Sequence, residues 1–523
     1  MVKMAKKKNV FRSIGISTAK TGTIFLATEV ISTFFSVLVI IFLANTSNMS
    51  VPNYGIFIIG IALLSLIPVG LGIGTAFRKK LPEILNKKNE IKKLLTNGYL
   101  AGGAIVLIIA IAVALLSGYL SFNVYKVGSS LVLPLQIIAV CIIFSIFYNL
   151  SNAALVGLGR INIASISNLL YGITRFFFIA VFVLSGFGII GALSGYLLSL
   201  VIPTVFEMVF LLKYIDLGFI DRKLETVKEL MRFSNPVLVA NLSNIGMNNF
   251  LIIFLGAFVS SQVIGSFGTA FNFSGFITIM TASFTFILIP AFSLILSKKA
   301  ILSKIKKAFE SSIYYSYLLI FPILIYAISI AKPVFDLLIS STYTNASFYF
   351  SVMIIGATIS VIGIYAGSLI VSFGKTKKYM KYQLIVTGIE LILIILFVPI
   401  FKANGALFSM FILAPVLSNL IYIYGLRKEF SISPDLSKPF RVFIAALVLG
   451  ILLFYLSLIL SSKAAIIIIN LILLIALYPP LLGIFGGVDK KDLKFVRDFG
   501  ERFPVLNRGL SLVVRYAEMF TKI

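Results

Sequence analysis

Long apolar runs separated by short polar gaps organise this chain, and each run has the length of a bilayer crossing, about 20 residues. Their spacing predicts about fourteen membrane helices, centred near Val30, Leu64, Leu107, Phe144, Phe177, Leu200, Leu251, Phe276, Ile320, Ile364, Leu393, Phe411, Leu452 and Leu473. The expected fold class is therefore an all-α polytopic membrane protein. An even number of crossings puts both termini on one side.

Charge gives the orientation. Lys and Arg gather in alternate gaps: at the start (Lys3, Lys6, Lys7, Lys8, Arg12), then between Arg78 and Lys93, Lys298 and Lys307, Lys375 and Lys381, and Arg427 and Arg441. The opposite gaps hold only Lys126, Lys332, Lys402 and Lys463. Cationic loops are retained in the cytoplasm, so a multi-pass protein of the cell membrane with both ends cytoplasmic is expected. The formal charge of +27 is then carried by loops that suit anionic lipid headgroups, and nucleic acid is not expected as a partner. A soluble protein is excluded by 59% hydrophobic and 12% charged residues. Cys141 stands alone in an apolar run and reads as packing. No His is present, which removes the commonest proton shuttle and metal ligand. No cofactor or metal is expected, and any proton coupling falls to carboxylates.

The runs repeat. Gly159-Arg160 and Gly374-Lys375 each end a run and open a tight basic turn, preceded by Ala154-Leu155-Val156-Gly157-Leu158 and Leu369-Ile370-Val371-Ser372-Phe373. Gly191-Ala192-Leu193 and Gly405-Ala406-Leu407 follow at nearly equal offsets. Tyr54-Gly55 and Ile264-Gly265 open the second and eighth runs, which lead to Pro82 and Pro290 and then to Lys-rich loops. The expected domains are an N-terminal lobe of helices 1–6 (1–220) and a C-terminal lobe of helices 7–12 (221–430). Two extra helices (431–487) and an amphipathic cytoplasmic tail (488–523) follow. Parallel repeats of this kind are related by an axis along the membrane normal, and transporters carry substrate between them. In the tail, Leu493, Val496, Phe499 and Phe503 alternate with Lys490, Lys494, Arg497 and Arg502 at helical spacing, as suits an interfacial helix.

Several of these stretches resemble the polysaccharide-biosynthesis or oligosaccharide-flippase proteins (Wzx-like). The residues are Tyr54-Gly55, Arg232-Phe233-Ser234-Asn235-Pro236, Ile264-Gly265-Ser266-Phe267, Ile289-Pro290-Ala291 and Phe373-Gly374-Lys375-Thr376. These proteins share a superfamily with multidrug and toxic-compound extruders and lipid II flippases. The resemblance implies two six-helix lobes around a cavity, alternating access, and export of an oligosaccharide on a polyprenyl phosphate or diphosphate. Glycosyltransferases or a polymerase or ligase are the protein partners it suggests, with the chain itself a monomer. This chain departs from the pattern at Phe267, where Tyr is frequent. It departs again in span seven, where Asn244, Asn248 and Asn249 replace an acidic residue.

Ionisable residues at membrane depth are costly and mark a cavity or a partner. Arg175 and Glu390 stand at the same offset from Arg160 and Lys375, repeat-equivalent positions of opposite sign. Two readings are open: an anion site at Arg175 with Glu390 as its partner in the empty state, or a charge satisfied separately in each lobe. Glu29 falls within span one, with Lys20 nearer the cytoplasmic end, and is either a coupling group or a partner of a neighbouring helix. Glu207 is close to Lys213 in sequence and reads as interfacial. Asn244 and Asn248 share a helix face and suit either sugar hydroxyls or helix–helix hydrogen bonds. Arg78 heads the first basic loop and joins Arg175, Asn244, Asn248 and Asn249 as a candidate substrate ligand. Glycines four apart (Gly70 and Gly74, Gly98 and Gly102, Gly191 and Gly195) suit close helix packing.

Gly374-Lys375-Thr376 imitates a phosphate-binding loop, but Leu369 occupies the first glycine position, so ATP hydrolysis is not expected. The membrane potential supplies about 2.3 kcal/mol per negative charge moved outward across about 100 mV, with proton or sodium coupling left open. The function expected is thus a lipid-linked oligosaccharide flippase and not an enzyme. Alternatives are a multidrug or cation extruder, which needs an acidic cavity, and a non-transporting scaffold. A membrane glycosyltransferase needs outer-loop acids, which residues Asn45 to Asn53 do not provide, and Asp336 is isolated in the sequence.

Overall fold

The computed structural model describes residues 28, 31–69, 72–221, 224–232, 243, 246–275, 302–343, 345–501 and 515–520. Among these every regular element is helical. The first of two compact units, Met1–Gly268, contains α1 (Ile31–Asn45), α2 (Val51–Val69), α3 (Ile73–Glu83), α4 (Lys88–Tyr119), α5 (Val132–Gly157), α6 (Ile161–Phe182) and α7 (Gly188–Leu211). It continues with α8 (225–232), α9 (Met247–Gly256) and α10 (261–275), whose end passes into the second unit. That unit, Thr269–Ile523, contains α11 (Leu302–Leu338), α12 (Ala346–Ile359), α13 (Val361–Ser372), α14 (Thr376–Leu407), α15 (Ala414–Phe430), α16 (Ser437–Ile459), α17 (Lys463–Ile484) and α18 (Lys490–Glu501).

Eight helical segments among the described residues are long and apolar enough to cross a bilayer. Two of them, Ile161–Tyr214 and Thr376–Phe430, contain an internal reversal. Shorter apolar helices such as Ile31–Asn45 add to them. This is the all-α polytopic architecture, of about fourteen crossings, that the run lengths predict.

The repeat is written into the turns. Gly159 and Gly374 have φ of 74° and 73°, the left-handed conformation that ends a helix without a side-chain penalty. Each turn closes with the same bonds: Arg160 N–H donates to Leu155 and Gly159 N–H to Val156, as Lys375 does to Ile370 and Gly374 to Val371. The next reversals match as well, Gly188 at φ 50°, ψ −129° and Lys402 at φ 53°, ψ −128°.

Glycines set the helix separations. A side chain on Gly102 would lie 2.8 Å from Leu150, and one on Gly195 would lie 2.6 Å from the Ile179 backbone. These are the close approaches that small residues at four-residue spacing permit; Gly70 lies outside the described residues. In the second unit Ile313, Tyr317, Leu449 and Tyr478 share one core, so α16 and α17 pack onto α11. Leu493 of α18 joins that core, while Lys490, Lys491, Lys494 and Arg497 are exposed. Asp492 anchors this helix by accepting from Tyr314 (3.0 Å), Tyr315 (3.2 Å) and Lys438 (2.7 Å). Asp336 is not isolated: Lys463 lies 3.7 Å from its carboxylate. Two residues far apart in sequence meet because α11 and α17 are neighbours.

Candidate functional site

A polar pocket of about 330 Å³ opens within the first unit. Helix α6 contributes Asn168, Tyr171 and Arg175, at spacings of three and four that place them on one face. Helix α5 contributes Tyr148, Asn149 and Asn152, α1 contributes Ser32, Thr33 and Ser36, and α3 contributes Arg78. Among the described residues the lining holds two guanidinium groups and no carboxylate. Gly172 allows α1 to approach α6, since a side chain there would lie 2.9 Å from the Ser32 hydroxyl.

Arg175 is fixed in place. Its Nη1 donates to the Tyr171 hydroxyl at 3.3 Å, its Nη2 donates to Ser36 Oγ, and its guanidinium lies 4.8 Å from the Tyr171 ring centre. Its Nε has no hydrogen-bond partner among the described residues. Tyr171 is itself held by Tyr196 at 2.8 Å and stacks on Tyr148 at 5.3 Å. Arg78 is exposed and makes no ion pair among the described residues. Two guanidinium groups lining one pocket with hydroxyl and amide groups suit a phosphate or carboxylate.

Behind the lining stands Glu207, which the structure removes from the interface. It is fully buried (0% exposed), and its Oε1 accepts from Asn152 Nδ2 at 3.1 Å. Its neighbour is the side-chain amide of Asn152 on α5, not Lys213. The same Asn152 nitrogen donates to Asn168 Oδ1 at 3.1 Å, which also accepts from Tyr148 at 2.7 Å.

The pocket brings Arg175 and Arg78 together. Asn248 and Asn249 are half-buried on α9, outside the lining. Glu390 lies on α14 in the second unit, and its Oε2 has no hydrogen-bond partner among the described residues. Glu29, Lys20 and Asn244 lie outside the described residues. Sequence reasoning passed over the polar residues of α1, α5 and α6. The signal was present, since Ser32 and Ser36 are one turn apart, as are Tyr148 and Asn152, within otherwise apolar runs.

Comparison with solved structures establishes the fold. The lipid II flippase MurJ in an inward closed conformation matches with a TM-score of 0.72 at 14% identity, covering 88% of this chain and 98% of that one. An inward-facing multidrug resistance transporter of the MATE family, in the MOP superfamily, matches at 0.64 and 15% identity, covering 78% and 98%. A MOP superfamily transporter from Pyrococcus furiosus matches at 0.51 and 14%, covering 79% and 96%. No curated protein matches the chain. The polysaccharide biosynthesis protein family matches residues 49–348, more than half of the sequence, and the protein belongs to that family.

Proposed function

We propose that the protein is a flippase that carries a polyprenyl phosphate- or diphosphate-linked oligosaccharide from the cytoplasmic to the outer leaflet by alternating access, without hydrolysing ATP. The observation that supports this reading is the pocket, with Arg78 and Arg175 among amide and hydroxyl groups and no acidic lining residue among the described residues. In it the carrier phosphate is the anion bound between the guanidinium groups, and Arg175, held by Tyr171 and Ser36, needs little reorganisation to receive it. A cation extruder requires the opposite polarity, a carboxylate facing the substrate. The basic gaps support a cytoplasmic position for both termini, and glycosyltransferases acting on the same lipid carrier are the partners proposed.

The test is transport by the purified protein in liposomes loaded with a fluorescent polyprenyl diphosphate oligosaccharide, with an impermeant quencher reporting its leaflet. Quencher-accessible signal should equilibrate between leaflets with wild type and not with Arg78→Ala/Arg175→Ala. Equal rates in both, or accumulation of a lipophilic cation in its place, would overturn the reading.

A further inference from the structure

The pocket reading leaves one buried acid unused. Glu207 sits among apolar helices with a single hydrogen bond, from Asn152; Oε2 has none among the described residues, with the Ser167 hydroxyl beside it. The titratable side chain facing it is Tyr99 of α4, bonded to Ser151 at 2.8 Å. From α5 it meets Asn152, and from α6 Ser167 and Asn168 supply only neutral groups. No cation pairs with it among the described residues. A buried carboxylate so poorly partnered is costly unless it binds a proton.

We propose that Glu207 is a proton-binding site linked to anion occupancy of the pocket through the side-chain amide of Asn152. Asn152 lines the pocket and directs its amide protons inward, to Asn168 and Glu207 at 3.1 Å and the Ala164 carbonyl at 3.5 Å. An anion between Arg78 and Arg175 competes for those protons. When the amide turns to it, Oε1 of Glu207 loses its donor and the acid takes up one proton from solvent, becoming neutral. Binding of the anion and of the proton are then mutually favourable, by linkage.

The second repeat supports a functional reading of this acid. The counterpart of Asn152 is Gly367 and that of Asn168 is Gln383, by the offset of the matched glycine turns. After the one-residue deficit at the helix reversal, the π-helical turn Phe408–Leu413 adds a residue and makes Tyr422 the counterpart of Glu207. Tyr422 donates to Gln383 at 2.6 Å and lies 3.4 Å from the position of a side chain on Gly367. The same place in the fold is thus filled there by neutral groups, so packing alone does not call for a carboxyl.

The inference rests on the pocket as an anion site, and inorganic pyrophosphate is the probe for both. Calorimetric titration of the full-length protein over a pH series, in buffers of differing ionisation heat, should show wild type taking up more protons per bound pyrophosphate than Glu207→Gln at the alkaline end, where the empty site is ionised, with binding retained in both. In wild type alone, pyrophosphate should raise an infrared band of a protonated, buried carboxyl. Binding with equal proton uptake in the two proteins, or without that band in wild type, overturns the role of Glu207 and leaves the pocket standing. Failure of pyrophosphate to bind wild type overturns the pocket, and this inference with it.

Discussion

Gly55 of α2 and Gly265 of α10 meet backbone to backbone in a reciprocal contact. A side chain on Gly55 would lie 1.8 Å from the Ser261 carbonyl oxygen, and one on Gly265 would lie 2.7 Å from the Val51 carbonyl oxygen. Val51 stands to Gly55 as Ser261 stands to Gly265, so residues at equivalent positions of the sequence repeat touch each other. Gly55→Ala must push the helices apart. Overpacking costs about 1–3 kcal/mol, and the expected outcome is a lower unfolding temperature in detergent. An unchanged melting curve would contradict the contact.

Arg175→Lys keeps the charge but loses the planar fork that Tyr171 and Ser36 hold. A hydrogen bond to a charged group contributes about 1.5–3 kcal/mol, which corresponds to a loss of roughly 10- to 100-fold in affinity for a polyprenyl diphosphate. Fluorescence binding measures it, and wild-type affinity in the Lys variant would argue against a bidentate contact.

Lys402 shares with Gly188 a conformation, φ 53° and ψ −128°, that only glycine adopts without strain. Such strain costs about 1–3 kcal/mol. Lys402→Gly is expected to raise the melting temperature, and Gly188→Ala to lower it. Opposite signs in differential scanning fluorimetry would show that the reversals are built differently.

The tail clasp responds to acid. Asp489 is pushed up by partial burial, but the Lys438 ammonium at 2.8 Å and the Asp492 backbone N–H, donating at 2.9 Å, outweigh this and hold it down at about 2. A carboxyl with a depressed folded value stabilises the docked state above its unfolded value, about 3.9, and loses that contribution as pH falls towards 2. Protease nicking after α18 should increase over that window in wild type. In Asp489→Asn it should be higher already at neutral pH and change less on acidification.

The sequence by itself determined the membrane class, the helices and the repeat. Run length and basic-gap alternation are properties of short segments, and transfer free energy acts on each segment almost independently. The glycine turns were legible for a similar reason, because Gly159 and Gly374 need a left-handed backbone that few other residues supply. Only the tertiary structure decided which polar residues share a pocket. Ser36, Arg78, Asn152 and Arg175 come from four helices, and the face each helix turns inward is set by how its neighbours pack. Glu207 shows the difference most clearly. Along the chain its nearest charge is Lys213, yet α5 and α6 close over it and substitute the Asn152 amide, a partner that only helix packing could bring.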